Sequence, residues 1–95
     1  MRKITQNTVN AFYNKKHFVS GSNMVTNRDS VTTMYLHGNA IATDSEKQGL
    51  RVSTAGWDTS TTKERLNGLN GVNVRTIKGE LHLNGEKWDG SWQSV

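Results

Sequence analysis

The sequence predicts an α+β domain. It should hold an antiparallel β-sheet of about five to six strands, an N-terminal helix and a short second helix, in the order α-β-β-β-α-β-β. Three observations carry this prediction. The polar residues are mostly Asn, Thr, Ser and Gly, which favour strands and tight turns over long helices. Alternating apolar and polar runs recur between turn signals, at Val31–His37, Leu50–Thr54 and Val72–Leu83. Two other segments, Ile4–His17 and Thr61–Asn67, carry helical spacing or a helix start signal.

In the first helix, Thr5 is the expected N-cap, because its hydroxyl can accept from a free backbone N–H of the first turn. Ile4 and Val9 then have the spacing of a hydrophobic staple. Val9, Phe12 and Tyr13 form the apolar stripe, and Lys15, Lys16 and His17 complement the negative end of the helix. Ser20-Gly21-Ser22-Asn23 should end the element. Met24–Thr26 is a short strand, Asn27–Ser30 a turn and Val31–His37 a stronger strand.

Gly38-Asn39 supplies a two-residue turn. It sets Leu36 opposite Ile41 and Tyr35 opposite Ala42, with Met34, Leu36 and Ile41 facing the core. Asp44–Gly49 is a polar connection, after which Leu50 and Val52 point inward. Thr61-Thr62-Lys63-Glu64 has the form of a capping box, and Gly68 is placed to stop the helix in the left-handed conformation. A helix this short needs tertiary support, so Trp57, Leu66 and Leu69 are expected to dock on the sheet. Lys78-Gly79 closes the clearest hairpin, pairing Ile77 with Glu80, Arg75 with His82 and Val74 with Leu83. Val72, Val74, Leu81 and Leu83 share its inner face. Asn84-Gly85 is a further turn before a last short strand within Glu86–Trp92.

The chain of 95 residues is expected to form a single domain. It contains no cysteine, which removes disulfides and thiolate metal sites and fits a reducing cytoplasm. No apolar run approaches the length of a membrane span. The net charge is +4, from 12 basic and 8 acidic residues, which suits an anionic partner. No phosphate-binding loop is present: GLNGVN lacks the lysine and the glycine spacing that such loops need. His17, His37 and His82 fall on separate elements without metal-ligand spacing, so neither metal nor cofactor is expected. The carboxylates sit in turns and at helix ends, and no serine lies in a nucleophile elbow. The expectation is a protein without enzymatic activity.

Binding remains. Trp57, Trp88 and Trp92 all flank turns, where an indole can stack on a base or anchor a protein interface, or simply cap a core. Basic residues gather in the same C-terminal half. The candidate binding residues are Lys63, Arg65, Arg75, Lys78, His82, Lys87, Trp88 and Trp92. The plain alternative is that the lysines are solvated and the tryptophans structural.

Several phrases occur together: MRKITQNTVNAF, MYLHGNAIA, AGWDTSTTKERLNGLNGV and KGELHLNGEKWDG. With them, nearly the whole chain resembles a family of small hypothetical proteins encoded by tailed bacteriophages. The resemblance brings no activity to particular residues. It implies a setting: the cytoplasm of an infected bacterium, and action by binding a host protein complex or nucleic acid. The leading expectation is a protein that binds a host macromolecule, with inhibition of a CRISPR or restriction system in view. The alternatives are salt-sensitive nucleic-acid binding and structural self-association through the C-terminal hairpin.

Overall fold

A computed structural model describes residues 2–95. Helix α1 (Lys3–Tyr13) leads into five strands: β1 (Phe18–Ser20), β2 (Asn23–Arg28), β3 (Val31–Leu36), β4 (Asn39–Ser45) and β5 (Gly49–Val52). Helix α2 (Ser60–Asn67) follows, then β6 (Val74–Ile77), β7 (Glu80–Leu83), β8 (Glu86–Lys87) and β9 (Gln93–Ser94). All pairings are antiparallel. The α+β class, the two helices and a six-stranded antiparallel sheet are as expected. The order of that sheet is β1-β2-β3-β4-β5-β9. The C-terminal hairpin does not extend it, however. β6, β7 and β8 form a separate three-stranded sheet, and the chain then returns through β9 to the edge of the large one.

Turn chemistry explains the register. Asp29-Ser30, His37-Gly38, Lys78-Gly79 and Asn84-Gly85 each have two consecutive residues at positive φ and close two-residue loops. That is the mirror-image turn whose twist matches antiparallel strands. The β6–β7 register is the expected one, including Arg75 opposite His82. The β3–β4 register is not. The turn sits one residue earlier, at His37-Gly38, so Tyr35 pairs with Ala40 and Leu36 with Asn39. A bulge at Met34/Tyr35 then restores the inward direction, and Met34, Leu36 and Ile41 are buried as expected, joined by Ala42. β1 was not anticipated: Ser20–Asn23 closes a hairpin between β1 and β2.

Helix α1 starts at Lys3, and Thr5 is not its cap. Arg2 occupies the N-cap position without a side-chain cap bond. Glu64 supplies the acceptor from across the fold, at 3.4 Å from the Arg2 N–H. Thr5 is thereby drawn inside the helix and fully buried. The helix also ends before Lys15, Lys16 and His17, so these residues lie beyond its last turn. Helix α2 begins two residues earlier than the capping-box reading requires. Thr59 is the cap, its hydroxyl accepting from the Thr62 N–H at 3.2 Å, and Glu64 is left free for α1. Gly68 closes α2 at φ −72°, in the right-handed region. It is needed there for space, since a Cβ would come within 2.8 Å of a Val9 methyl and 3.1 Å of a Thr5 methyl.

One buried cluster joins both sheets and both helices. Phe12, Val25, Met34, Ile41, Val52 and Leu66 lie at its centre, and Val74, Leu81, Leu83 and Trp88 bring in the small sheet. Full burial of a side chain such as Phe12 contributes about 1.5–3 kcal/mol. Leu66 and Leu69 dock as expected, but Trp57 does not: it is 60% exposed.

Inside this core lies a buried cation. Arg65, from the last turn of α2, is 3% exposed. Its Nε donates to Asn23 Oδ1 at 2.7 Å, and its Nη1 donates to Thr5 Oγ1 at 2.5 Å and Glu64 Oε1 at 2.6 Å. The Thr5 hydroxyl in turn donates to Glu64 Oε1 at 2.9 Å. The guanidinium therefore ties β2, α1 and α2 together. Glu64 is held below its ordinary value near 4.5. Partial burial pushes it up, but the Thr5 hydroxyl, the Arg2 N–H and the Arg65 and Arg2 charges outweigh that.

A candidate binding face on the three-stranded sheet

Residues directly opposite each other on neighbouring antiparallel strands project from the same face. Arg75 on β6 is opposite His82 on β7, and His82 is opposite Lys87 on β8. The three form one row across the small sheet. The inner face of this sheet is taken by Val74, Leu81 and Leu83, all buried. The row is therefore on the outer face, where Arg75 and Lys87 are exposed and His82 is half-buried. Lys78, at φ 50° in the β6–β7 turn, stands exposed at the end of the hairpin.

The face is not uniformly positive. Ile77 is opposite Glu80 beside the row, and Ile77 is 41% exposed. Glu80 Oε1 meets Lys87 Nζ at 3.1 Å, with both side chains more than half exposed. A pair so exposed is worth at most about 1 kcal/mol and opens readily to a partner. The His82 Nδ1 lies 3.0 Å from the Glu80 carbonyl oxygen, which fixes its ring orientation. Chemically the face offers two cations, an imidazole, a carboxylate and an apolar side chain in one array.

Of the candidate residues, the sheet brings together Arg75, His82 and Lys87, with Lys78 at its tip. The other four are elsewhere. Arg65 is corrected outright, being the buried centre of the network described above and unable to reach a partner. Trp88 is also structural: it is 9% exposed, and its indole Nε1 donates to the Ser91 carbonyl at 2.9 Å. Lys63 reaches Thr76 Oγ1 at 2.8 Å, and Thr76 alternates away from Arg75 and Ile77, so this lysine does not join the row. Trp92 is 39% exposed but follows β8 on the return to the large sheet, outside the strands that carry the row.

Among the described residues, no group of three His, Asp or Glu side chains comes close enough to hold a metal ion. No helix among them is long and apolar enough to cross a membrane. Sequence reasoning also missed a concave feature at the other end of the fold, beside the exposed Trp57. Its one signal was the Ala55-Gly56 pair, a turn that lifts the next side chain off the surface it was expected to cover.

Neither a curated protein nor a solved structure matches the chain. A family model does, over residues 1–94, and its description is Kyanoviridae Gp96 protein. That match spans all eleven helices and strands among the described residues and leaves out only the final residue of the chain. The chain belongs to the Kyanoviridae Gp96 protein family, a family of small bacteriophage proteins.

Proposed function

We propose that this protein is a non-enzymatic phage accessory protein that binds a host protein complex in the cytoplasm of the infected bacterium and alters its activity. A defence complex of the CRISPR or restriction type is the favoured target. The observation that carries the reading is the outer face of the three-stranded sheet. Arg75, His82 and Lys87 stand in one row there, beside the exposed Ile77 and Glu80. A purely electrostatic grip on a polyanion needs cations alone. A face that mixes cations with an apolar side chain and a carboxylate suits an acidic protein surface with its own apolar contacts.

The test is recovery of partners from infected host cells with tagged wild-type protein and with an Arg75→Ala, Lys78→Ala, Lys87→Ala variant, with and without nuclease. The expected result is a specific host complex that survives nuclease and is lost in the variant. Recovery of no specific partner by the wild type counts against the reading.

Direct nucleic-acid binding is the second reading, supported by the alignment of the cationic row. It predicts affinity that falls steeply between about 50 and about 300 mM salt through counterion release, and a shallower slope in the triple variant. Equal binding at both salt concentrations rules it out.

A further inference from the structure

We propose that the cleft beside Trp57 is a binding site for one neutral heteroaromatic ring of nucleobase size, adenine above all. The cleft has a volume of about 360 Å³. Small-ligand sites span about 300–1,000 Å³, so this one holds a single ring system rather than a length of chain. Its floor is apolar and rigid, made by Leu36 at the end of β3 and Ile41 in β4, which are 4% and 1% exposed. Trp57 lines the same cleft with its side chain 60% exposed.

That exposure is not looseness. Ala55 and Gly56 turn at φ 54° and 83°, and the Trp57 N–H donates to the Thr54 carbonyl at 2.9 Å. An indole held on a closed turn above an apolar floor is a stacking platform, worth about 1–3 kcal/mol for a base.

The polar groups select the ring. No Lys, Arg, Asp or Glu lines the cleft, and His37 is the one titratable side chain there, so the lining favours a neutral ligand over a strongly charged one. Asn39 lines it, and its side-chain amide makes only one long bond, 3.4 Å to the His37 carbonyl, among the described residues. A carboxamide offers a donor and an acceptor side by side, the pattern that pairs with the N6 and N7 edge of adenine. Thr54 also lines the cleft, but it is fully buried with its hydroxyl against Gly90, so it shapes the wall and does not bond the ring. No lining residue belongs to the Arg75–His82–Lys87 row, so this site stands or falls independently of the binding face.

The experiment is two-dimensional ¹H–¹⁵N NMR of the full chain, titrated first with adenosine and separately with a short oligodeoxyadenylate. The indole signal of Trp57 is identified by its loss in Trp57→Phe. A saturable shift of the Trp57 indole, the Asn39 side-chain amide and the Thr54 amide is expected. Saturation by adenosine assigns the site to a free nucleoside, and saturation by the oligonucleotide alone assigns it to a base within a strand. Trp57→Ala, at an exposed position, should weaken the response of Asn39 and Thr54 at least about fivefold. The proposal is overturned if neither probe gives a saturable shift of Trp57 at millimolar concentration. Movement of the Trp92 indole with Trp57 unmoved overturns it equally, as does binding of uridine as tight as that of adenosine.

Discussion

Replacing Arg65 by Met removes a buried charge while keeping a side chain of similar reach, so the loss falls on the polar network. Three bonds vanish: to Asn23 at 2.7 Å, Thr5 at 2.5 Å and Glu64 at 2.6 Å. Breaking a buried ion pair from one side costs about 3–5 kcal/mol, because the other partner stays buried. Here Glu64 is 29% exposed and keeps Arg2 at 3.7 Å, so it rehydrates in part. The cost therefore falls near the bottom of the range, about 3 kcal/mol. For a domain of this size that lowers the Tm by about 12–24 °C. Urea and thermal unfolding followed by circular dichroism measure it directly. The drop should persist at about 0.5 M salt, since a buried pair is little screened. A loss under about 1 kcal/mol would show that Arg65 is a peripheral cation, as its place in the sequence suggested, and not the tie between α1, β2 and α2.

Four further outcomes are expected. Glu64→Gln should lower stability at neutral pH and flatten the acid limb of the stability curve. The native carboxyl sits below its ordinary value near 4.5, so its contribution is complete above that pH and is lost as pH falls through the lowered value. Denaturant midpoints from neutral to strongly acid pH check this, and an unchanged acid limb refutes it. Gly68→Ala, normally favourable at a right-handed φ, should cost about 1–3 kcal/mol through overpacking against Val9 and Thr5; a rise in midpoint would show that the contact relaxes. Trp88→Ala should cost about 3–5 kcal/mol, whereas the exposed Trp57→Ala should stay within about 0.5 kcal/mol of wild type, and equal losses would contradict the contrast in burial. Lys78→Asn should raise stability by several tenths of a kcal/mol by relieving a lysine at φ 50°, while weakening partner capture, so opposite signs in the two assays separate fold from function.

The small hairpin could be read residue by residue because its determinants are local. Lys78-Gly79 and Asn84-Gly85 fix two turns, and the period of two then places every side chain. The same logic slipped at His37-Gly38-Asn39. Either adjacent pair can make a turn, and only the bulge at Met34/Tyr35 reconciles the true turn with burial of Ile41. Arg65 was misplaced for a different reason. A short polar helix carrying Lys63, Glu64 and Arg65 has the composition of a solvated helix. The partners that bury Arg65 are 42 and 60 residues away in the chain. The two expected helix caps show the same limit. Thr5 is a good cap by type, as is Thr61 of the expected capping box, but Glu64 reaches α1 instead, and Thr59 caps α2. On the candidate face, cross-strand pairing put Arg75 beside His82 from the sequence alone. The addition of Lys87 needed the turn at Asn84-Gly85 to fold β8 back alongside β7. The Trp57 cleft was hard to read because a large aromatic is expected inside, and the Ala55-Gly56 turn that holds it out was its single local signal.

Whether the outer face of the three-stranded sheet is where the protein meets its partner is settled by one paired recovery from infected cells. Wild type and the Arg75→Ala, Lys78→Ala, Lys87→Ala variant are expressed at equal level after nuclease treatment, with equal Tm confirmed beforehand. The expected result is one host complex retained by the wild type and absent from the variant. Equal recovery of that complex by both proteins would place the binding surface elsewhere on the fold.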